Sequence, residues 1–397
     1  MLQDKTIVLG VTGSIAAYKA ADIASKLTRA GAKVEAVITD SATRFVNPLT
    51  LQGVTRRPVS TSLWQSADAS RSRHIALAQA ADIVVIAPAT ANTIAHLAGG
   101  LADDLLTCTV LATRAPVVVA PAMNDDMFTN PATQENIEKL RSRGFIFVDP
   151  GHGRLACGRT GVGRLAEVET IIGTIRQVLG RNGDLVGKRI LVTAGGTREP
   201  LDPVRYIGNR SSGKMGYALA AAARDRGAQV KLVTTVNSLP ETVGMEVVEV
   251  ETADEMAKAV ADGVKDADAL IMAAAVADYK PQAAADNKIK KSEDCLDIKL
   301  VKTPDILAGA KGDFVKVGFA AESEDMVENA RKKLADKGLD IIVANDITAE
   351  DSGFGADDNK VWIIDKNGQI EDLPLMNKAE VANKILDRVV GLLAGKP

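Results

Sequence analysis

The feature that most constrains the fold is an alternation of short Val- and Ile-rich runs with longer helix-like segments. Such runs are typical of strands that are buried on both faces of a parallel sheet and joined by helical crossovers. In the first half of the chain, the pattern predicts a closing helix from about residue 166 to residue 179 and strands at residues 6–11, 34–39, 83–87, 117–120 and 145–148.

The alternation begins again after a Gly- and Asn-bearing stretch near residues 180–187, which we interpret as a linker. A length of 397 residues also favours more than one domain. We therefore predict an α/β protein with two doubly wound, Rossmann-like domains, over residues 1–186 and 187–397. In the second half, a helix is expected at residues 216–226 and strands at residues 188–193, 229–234, 269–274, 315–319, 341–344 and 361–365.

The composition excludes several classes of protein. With 48 Lys and Arg against 51 Asp and Glu, the chain has no field that would attract nucleic acid or an anionic membrane surface. An aromatic fraction of 3% argues against a base-stacking platform. Cys108, Cys157 and Cys295 are too few and too distant to build a disulfide framework or a zinc site by themselves. The sequence shows neither a leader segment nor a long apolar run, so we expect a cytoplasmic protein.

The first predicted strand leads into Gly10-Val-Thr-Gly13-Ser14-Ile15, where free backbone N–H groups at a helix start favour a phosphate. Ile15 stands where the dinucleotide fingerprint requires its third glycine. Thr39, at the end of the second predicted strand, is not the acidic residue that usually holds an NAD ribose. A mononucleotide is therefore the better candidate ligand, and the alternative is a helix that is merely capped by Ser14.

Two further predicted strand ends, at residues 88–93 and 121–128, carry small, hydroxyl and amide side chains. Pro88, Thr90 and Asn124 lie there, and polar groups of this kind can hydrogen-bond the edge of a flat ring. The alternative is that both segments are ordinary turns.

Two residues of this half could transfer protons. His74 stands at the start of a predicted helix, where the alternative is a packing histidine. Cys157 lies in the Gly-rich segment at residues 153–164, which predicts a mobile flap. A thiol there could donate or accept a proton, and the alternative is an inert loop cysteine.

The Gly13-Ser14 turn, His74, Pro-Ala-Met-Asn124 and Ala-Cys157-Gly, taken in order, resemble the motifs of the flavin-containing, homo-oligomeric cysteine decarboxylases. The resemblance covers residues 1 to about 180. It implies a flavodoxin-like domain in which His74 is a base, Asn124 clamps the substrate carboxylate and Cys157 is a proton donor. The cofactor it implies is FMN, with contacts at Gly13, Ser14, Thr39, Pro88 and Thr90.

The most unusual stretch of the second half is the long loop at residues 191–216, which gathers amides, hydroxyls, glycines and cations before a helix. This loop is a candidate anion site, because a bland polar loop of such length is uncommon. Asp278 follows a buried predicted strand, and Lys288-Ile-Lys290-Lys291 comes next. Together they suggest a basic lid over a triphosphate whose Mg2+ is held by Asp278, and the alternative for the lysines is a solvated face.

From about residue 187 onward, the long glycine loop, Ala-Asp278-Tyr, Lys288-Ile-Lys-Lys and Gly-Phe319-Ala-Ala-Glu resemble the phosphopantothenate–cysteine ligases. The whole chain is thus similar to the bifunctional decarboxylase and ligase family of bacterial coenzyme A biosynthesis. The resemblance implies that Asn209 stabilises an acyl-cytidylate, that Lys288 is catalytic and that Asp278 holds Mg2+. The implied CTP contacts are Met272, Ala273, Ala274, Asp278, Lys288, Pro304, Asp305, Ile306, Leu307, Phe319, Lys333 and Lys337.

The resemblance implies two consecutive reactions. Cysteine is joined to 4′-phosphopantothenate through an acyl-cytidylate made from CTP, and the product is then decarboxylated to 4′-phosphopantetheine. Direct loss of CO2 would leave an unstabilised carbanion, so the second reaction needs an electron sink, which FMN supplies. The family also implies a homo-oligomer, with decarboxylase trimers joined by ligase dimers.

Rival interpretations come from other classes of protein. One is a flavoprotein cysteine decarboxylase, and another is a regulatory flavoprotein, each with a non-catalytic nucleotide-binding second domain. A regulatory protein would not need His74 together with Cys157, and both are present. An NAD-dependent dehydrogenase is disfavoured by the turn at residues 10–15.

Overall fold

The chain forms two compact units, Met1–Leu179 and Gly180–Pro397. The computed structural model describes residues 2–64, 72–236, 242–290, 296–322, 326–346 and 356–395, and only the backbone of residues 321, 322 and 346. The predictions that concern Lys291 and Cys295 therefore fall outside the described residues.

The core of the first unit is a five-stranded parallel sheet with the strand order 2-1-3-4-5. This is the order of flavodoxin-like folds, whose ligands bind beyond the carboxyl ends of the strands where the order reverses. The predicted doubly wound fold is confirmed for this half. The strands are β1 (Thr6–Val11), β2 (Lys33–Ile38), β3 (Ile83–Ala89), β4 (Val117–Pro121) and β5 (Ile146–Phe147).

Helices cover both faces of this sheet, because alternate residues of each buried strand point to opposite sides. Ile7 and Leu9 pack into one apolar cluster, and Val8 packs into the other. A 3-10 turn (Ile15–Tyr18) and a hairpin of β6 (Gly151–Arg154) and β7 (Thr160–Arg164) complete the unit. The helices are α1 (Lys19–Arg29), α2 (Asp40–Thr43), α3 (Pro48–Thr55), α4 (Arg73–Ala80), α5 (Ala91–Gly99), α6 (Leu105–Ala112), α7 (Asp125–Phe128), α8 (Pro131–Ser142) and α9 (Val168–Leu179).

The second unit contains an eight-stranded sheet in the order β12-β11-β8-β13-β16-β17-β18-β19. The first six strands of this order are parallel and have the arrangement of a Rossmann fold, whereas β18 and β19 are antiparallel additions. The predicted fold class is confirmed here as well. The strands are β8 (Arg189–Ala194), β9 (Arg198–Pro200), β10 (Tyr206–Gly208), β11 (Gln229–Thr234), β12 (Glu246–Glu249), β13 (Ala269–Met272), β14 (Tyr279–Pro281), β15 (Leu300–Lys302), β16 (Val315–Glu322), β17 (Ile341–Asp346), β18 (Asp358–Asp365) and β19 (Ile370–Asn377).

The described helices of the second unit pack on the two faces of this sheet in two apolar clusters. Their bounds are α10 (Lys214–Asp225), α11 (Ala253–Gly263), α12 (Ile306–Gly309), α13 (Met326–Asp336) and α14 (Lys378–Ala394). Of the helices in the described part of the chain, none is both long enough and apolar enough to cross a membrane.

The stretch near residues 180–187 is part of the second unit, so its interpretation as a linker was wrong. Leu185 is fully buried in a core cluster of that unit, and its N–H donates to the Arg226 carbonyl at 3.0 Å. Gly180 and Gly183 lie against the backbone of Asp225 and Arg226 so closely that neither position has room for a Cβ. These glycines allow two backbone segments to approach each other closely. Glycine content alone does not show whether a segment is packed in this way or is a flexible linker.

Candidate active sites

A cavity of about 930 Å3 lies beyond the carboxyl ends of the strands of the first unit. A volume of this size suits a cofactor or a drug-sized ligand. Loops that follow β1, β2, β3 and β4 line it, and the β6–β7 hairpin covers one side. Of the predicted site residues, Gly13, Ser14, Thr39, Thr90, Asn124 and Cys157 line the cavity.

The first wall of this cavity is built by the turn after β1. Ser14 Oγ accepts a hydrogen bond from the Ala16 N–H at 3.3 Å and donates to the Ala122 carbonyl at 3.2 Å. Ser14 thus caps the 3-10 turn, as the alternative interpretation of this motif had it, and also ties the turn to the loop after β4. Thr39 Oγ1 is buried and has no hydrogen-bond partner among the described residues. A buried hydroxyl on a cavity wall leaves a polar position for a ligand to satisfy.

The end of β3 and the loop after it are held by Thr12, which is not among the residues that line the cavity. Thr12 Oγ1 donates to the Pro88 carbonyl at 2.8 Å and accepts from the Thr90 N–H at 3.0 Å. Thr90 Oγ1 accepts from the Thr93 N–H at 3.3 Å and so caps α5. Pro88, which lies in β3, is not among the residues that line the cavity, and its carbonyl anchors Thr12.

Asn124 and Cys157 meet at the cavity although 33 residues separate them. The Asn124 side-chain N–H donates to Cys157 Sγ at 3.4 Å, while Asn124 Oδ1 accepts from the Asp126 N–H at 2.9 Å and caps α7. Because its oxygen is fixed by the helix start, Asn124 presents its amide N–H groups to the thiol and the cavity.

The hairpin that carries Cys157 is docked tightly on the loop after β4. Met123 N–H donates to the Gly163 carbonyl at 3.0 Å. A Cβ at Gly163 would lie 2.2 Å from the Met123 carbonyl oxygen, and Gly163 also has a φ of +145°. Only glycine fits this position without displacing the backbone. Cys157 itself lies exposed in the turn between β6 and β7, and the predicted flap is thus a hairpin whose base is firmly packed.

His74 does not line the cavity. It stands at the second position of α4, as the sequence predicted, and is half-buried. Among the described residues, His74 is thus not part of the cavity that Asn124 and Cys157 line.

Several residues that line the cavity were missed by sequence reasoning. Two cations of the Gly-rich hairpin segment, Arg154 and Arg164, are among them, and their spacing beside Cys157 was the available signal. His96 lines the cavity too, with its Nδ1 at 3.1 Å from Asp103 Oδ1, although no sequence pattern distinguished it from a packing histidine. The exposed apolar side chains Ile15 and Tyr18 also face this region.

In the second unit, Asn209 lies against the loop that follows β13. Its side-chain N–H groups donate to the Ala275 and Val276 carbonyls, each at 3.2 Å. The Ala274 N–H donates to Thr193 Oγ1 at 3.1 Å, which fixes the first part of the same loop against β8. Asn209 is thus brought beside the predicted nucleotide contacts Met272, Ala273 and Ala274.

Of the four residues predicted to contact CTP at positions 304–307, two are exposed and two are buried. Pro304 and Asp305 are exposed, and Asp305 caps α12 by accepting from the Ala308 N–H at 3.1 Å. Lys337 Nζ lies 3.1 Å from Asp305 Oδ2. Partial burial disfavours the charged carboxylate of Asp305. The Ala308 N–H and the Lys337 ammonium outweigh this effect and hold the pKa of Asp305 below its usual range.

Ile306 and Leu307 do not offer their side chains to a ligand. Both are buried and belong to an apolar core cluster. Only the backbone atoms of these two residues are therefore available for the predicted contacts with CTP. Lys333 is exposed on α13, one turn before Lys337.

The segment that carries Lys288 is tied to the long loop of the second unit. Asp202 Oδ2 accepts from the Ile289 N–H at 3.1 Å, and the Arg205 guanidinium donates to the Ile289 carbonyl at 3.0 Å. The Arg205 guanidinium, aided by three backbone N–H groups, also holds the pKa of the buried Asp202 carboxyl well below its usual range. Lys288 itself is exposed.

A second cavity, of about 130 Å3, lies at the start of α10. Ala273, Ala274 and Phe319 of the predicted set line it, whereas Asn209, Asp278 and Lys288 do not. Of its polar lining residues, Lys214 belongs to the long loop predicted as an anion site and Asn345 lies near the end of β17, whereas sequence reasoning missed Asn359 and Lys378.

Asp278 is exposed just beyond β13, and its backbone carbonyl accepts from the Thr303 N–H at 3.0 Å. Across the described ranges, no three His, Cys, Asp or Glu side chains cluster in a way that could hold a metal ion. A Mg2+ ion that accompanies a nucleotide typically takes one or two protein carboxylates and completes its shell with phosphates and water. A single carboxylate at this position fits that pattern.

Comparison with known proteins covers both units. The Flavoprotein family model matches residues 1–180, and that of the DNA/pantothenate metabolism flavoprotein C-terminal domain matches residues 185–393. The chain is 45% identical to the coenzyme A biosynthesis bifunctional protein CoaBC of Bacillus subtilis, with 99% of this chain and 98% of that protein covered. It is 46% identical to the protein of the same name from Vibrio cholerae, with 97% and 98% covered.

Among solved structures, the C-terminal domain of a coenzyme A biosynthesis bifunctional protein CoaBC matches at 40% sequence identity and a TM-score of 0.47. The match covers 54% of this chain and 100% of that one.

Proposed function

Because the chain belongs to the family of coenzyme A biosynthesis bifunctional proteins, it is an enzyme with a decarboxylase and a ligase activity, and we propose how its residues divide the two reactions. The second unit joins cysteine to 4′-phosphopantothenate at the expense of CTP. The first unit decarboxylates the resulting 4′-phosphopantothenoylcysteine to 4′-phosphopantetheine with FMN as cofactor. The rival interpretations with a non-catalytic second domain are not favoured, since both family models match and the relatives are bifunctional. The cytoplasmic location stays a prediction.

The residues of the first cavity fit FMN. The cavity has the volume of a cofactor site, the unpartnered Thr39 hydroxyl offers it a hydrogen bond, and the turn at Gly13 and Ser14 suits a phosphate. Arg154 and Arg164 add positive charge to the same walls. A bound FMN would supply reversible hydride transfer at the thiol-bearing carbon of the substrate, which is the electron sink that loss of CO2 requires.

The Asn124–Cys157 contact is the observation that carries the decarboxylase proposal. Asn124 is fixed by the start of α7, so its N–H groups can hold the substrate carboxylate before CO2 leaves. Cys157, 3.4 Å away, can then give its proton to the carbon that lost CO2, which is the neighbour of the thiol-bearing carbon. An exposed turn on a tightly packed hairpin base allows the thiol to approach and leave the substrate.

We place His74 in this site from a neighbouring subunit. It is predicted to be the base, yet within one chain it does not line the cavity. The side chains of Ile15 and Tyr18 beside the cavity are 62% and 63% exposed, and those of Leu49 and Leu111 are 70% and 66% exposed. Large apolar side chains left in water in this number favour an assembly of several copies. A homo-oligomer with decarboxylase trimers joined by ligase dimers would supply the histidine.

In the ligase reaction, the carboxylate of 4′-phosphopantothenate attacks the α-phosphate of CTP, which gives an acyl-cytidylate and pyrophosphate. Lys288, on a segment anchored through Asp202, neutralises charge that develops on the phosphate. Asn209, whose amide is held against the Ala275 and Val276 carbonyls, lies beside the nucleotide loop and stabilises the acyl-cytidylate there. Asp278 would hold the Mg2+ that accompanies the triphosphate. The amine of cysteine then displaces CMP.

Two measurements on the purified full chain test these assignments. The first is the visible spectrum and the mass of the released chromophore, where any chromophore other than FMN contradicts the decarboxylase proposal. The second is pyrophosphate release on addition of CTP, Mg2+ and 4′-phosphopantothenate without cysteine. A chain that releases no pyrophosphate under these conditions contradicts the acyl-cytidylate route.

A further inference from the structure

The position of the His74 ring depends on the first turn of α4. His74 is the second residue of this helix and is half-buried. Its imidazole has no hydrogen-bond partner among the described residues. The backbone of the first turn therefore sets where the imidazole lies, and a group that fixes this turn also places the proposed base.

The two ends of α4 are held in different ways. Near its C-terminal end, Leu77 and Ala78 are buried, and the Ala78 carbonyl accepts from Thr113 Oγ1 at 3.1 Å. At its start, Ser72 is the N-cap residue, but its side chain makes no capping hydrogen bond. A helix start without a cap is weakly held unless another contact stabilises it. That contact comes from Arg73, the residue directly before His74.

The guanidinium of Arg73 bonds two buried groups that are anchored on β2. Its Nη2 donates to Glu35 Oε2 and its Nε donates to Ser60 Oγ, each at 3.1 Å. Glu35 lies within β2. Ser60 is tied to the same strand, because its N–H donates to the Ala36 carbonyl at 2.9 Å and its carbonyl accepts from the Ile38 N–H at 3.0 Å. Since a guanidinium is planar, two bonds to fixed acceptors set the direction of the Arg73 side chain as well as its reach.

Glu35 is a buried carboxylate with a second arginine partner. It is 9% exposed, and its Oε1 accepts from Arg57 Nε at 2.8 Å and also from Arg57 Nη2. A buried carboxylate must be paired, and Arg57 already donates two hydrogen bonds to it. The contact with Arg73 is thus additional to the pairing that burial of Glu35 requires.

The charge of Arg73 is unfavourable at the position that it occupies. The start of a helix carries the positive end of the helix dipole, so a cation in the first turn is disfavoured. Arg73 is the first residue of α4, and this first turn contains no acidic residue. The negative charge that compensates Arg73 comes from Glu35 in β2. An arginine in this position ties the helix start to the sheet, and the tie lies next to His74.

We propose that Arg73 is a positioning residue of the decarboxylase, whose bonds to Glu35 and Ser60 fix the first turn of α4 and so place the His74 imidazole for proton removal. This role rests on the proposed function of His74 as the base. The Arg73 guanidinium is engaged with β2, and Arg73 does not line the cavity. Arg73 therefore acts through His74, and its loss affects the rate at a bound substrate and not the binding of substrate or FMN.

Arg73→Met in the full chain tests this role, with Arg57→Met as the matched control. Each variant removes one arginine from Glu35, but only Arg73 lies on the helix that carries His74. Because a misplacement of about 1 Å can cost about 100-fold in rate, we expect kcat for CO2 release from 4′-phosphopantothenoylcysteine to fall roughly 10- to 100-fold in Arg73→Met. The KM for this substrate, the flavin spectrum and pyrophosphate release should stay at the parental values. Arg57→Met should keep a near-parental kcat although its melting temperature falls.

The outcomes for the positioning role and for the base differ. A parental kcat in Arg73→Met, an equal loss of kcat in both arginine variants, or a loss that arises from KM or from flavin content overturns the positioning role. If His74→Asn releases CO2 at the parental rate, the function of His74 as the base is contradicted, and the role of Arg73 with it. If His74→Asn is inactive while Arg73→Met keeps the parental kcat, the base stands and the positioning role alone is overturned.

Ser60→Ala covers the case in which Arg73→Met does not fold. It removes one acceptor of the Arg73 guanidinium and leaves both the ion pair with Glu35 and the sequence of α4 unchanged. We expect kcat to fall by up to about 10-fold at an unchanged KM, the range for loss of one hydrogen bond. Ser62→Ala is the control, since Ser62 Oγ accepts from the Trp64 N–H instead. A parental kcat in Ser60→Ala would overturn the role of the Arg73 contacts.

Mixed oligomers give a measurement that a general loss of stability would not reproduce. Arg73→Met and His74→Asn impair the same group, so their co-expression should not restore 4′-phosphopantetheine formation. Co-expression of Arg73→Met with Cys157→Ser should restore part of it, as the pair His74→Asn and Cys157→Ser does when subunits share the site. Recovery with His74→Asn would overturn the positioning role. So would a lack of recovery with Cys157→Ser under conditions in which the His74→Asn and Cys157→Ser pair recovers.

Discussion

At the residue scale, the contact between Asn124 and Cys157 allows the two halves of the decarboxylation to be separated. We expect Cys157→Ser to release CO2 but not to complete the final reduction, because a serine hydroxyl is a much weaker acid than a thiol. The dehydrogenated enethiol should accumulate, as detected by mass spectrometry beside a CO2 assay. Cys108→Ser is the matched control, since that thiol donates to the Ala102 carbonyl and does not line the cavity. A normal yield of 4′-phosphopantetheine from Cys157→Ser would refute its role.

His74 gives a second prediction at this scale. His74→Asn should abolish decarboxylation while FMN stays bound and the ligase stays active, because the base acts on the substrate and not on the cofactor. CO2 release, the flavin spectrum and pyrophosphate release measure the three properties separately. His152→Asn, an exposed histidine of the hairpin, should leave all three unchanged. If His74→Asn loses its flavin instead, His74 is a packing residue.

Lys288→Gln tests the basic lid. Glutamine keeps much of the length and one donor but removes the cation, so a role in charge neutralisation should be lost. We expect pyrophosphate release to fall roughly 30- to 1000-fold, the range for one preorganised charged contact in a transition state. Decarboxylation of supplied 4′-phosphopantothenoylcysteine should be unaffected. Lys299→Gln, exposed in the same region, serves as the control. Release at the parental rate with subsaturating CTP would show that Lys288 is only a solvated side chain.

At the scale of elements, the buried strands could be predicted closely and the peripheral ones could not. The predicted bounds of β1 and β11 agree with the structure, and several central strands differ by only a few residues at their ends, because strands buried on both faces are continuous Val- and Ile-rich runs. The edge strand β12, mostly exposed with the sequence Glu-Val-Val-Glu, has no such run. The β14–β15 hairpin joins residues about twenty apart, and no local pattern indicates that pairing.

Asp202 links the long loop to the segment that carries Lys288. Because the pKa of Asp202 is lowered, we expect the stability of the folded chain to depend on pH. Its pKa is lowered in the folded chain, so the stabilisation is fully present above the unfolded value of about 4 and is lost as the pH falls through the lowered pKa. Asp202→Asn should therefore lower the melting temperature at pH 7, and the difference from the parent should shrink in acid. Asp286→Asn, exposed in the same segment, is the control. A difference that stays constant from pH 7 to pH 3 would contradict the role of the charge.

At the scale of the whole molecule, residues of the candidate sites could be predicted from the sequence more readily than the residues that the fold brings next to them. Six predicted residues of the first unit line one cavity. Five of them follow successive parallel strands, whose carboxyl ends meet at one edge of the sheet, and the sixth, Cys157, lies on the β6–β7 hairpin. His74 does not follow a strand, and no sequence pattern places it in the site. Lys378 and Asn359 were missed because neither belongs to a motif, and only the fold brings them to the start of α10.

Sharing of the decarboxylase site between subunits is testable by complementation. Cys157→Ser keeps His74, and His74→Asn keeps Cys157, so a mixed oligomer would contain some sites with both native residues. We expect co-expression of the two variants to restore part of the 4′-phosphopantetheine yield that each lacks alone. No recovery in purified mixed oligomers would mean that both residues act within one chain.

The central claim is that one chain carries out both reactions in sequence, and the most direct measurement follows all products together. The purified chain, supplied with 4′-phosphopantothenate, cysteine, CTP and Mg2+, should give equal amounts of pyrophosphate, CMP, CO2 and 4′-phosphopantetheine. Omission of CTP should stop all four products, whereas supplied 4′-phosphopantothenoylcysteine should still give CO2 and 4′-phosphopantetheine. Pyrophosphate and CMP without CO2, or CO2 only after addition of a second protein, would contradict the account.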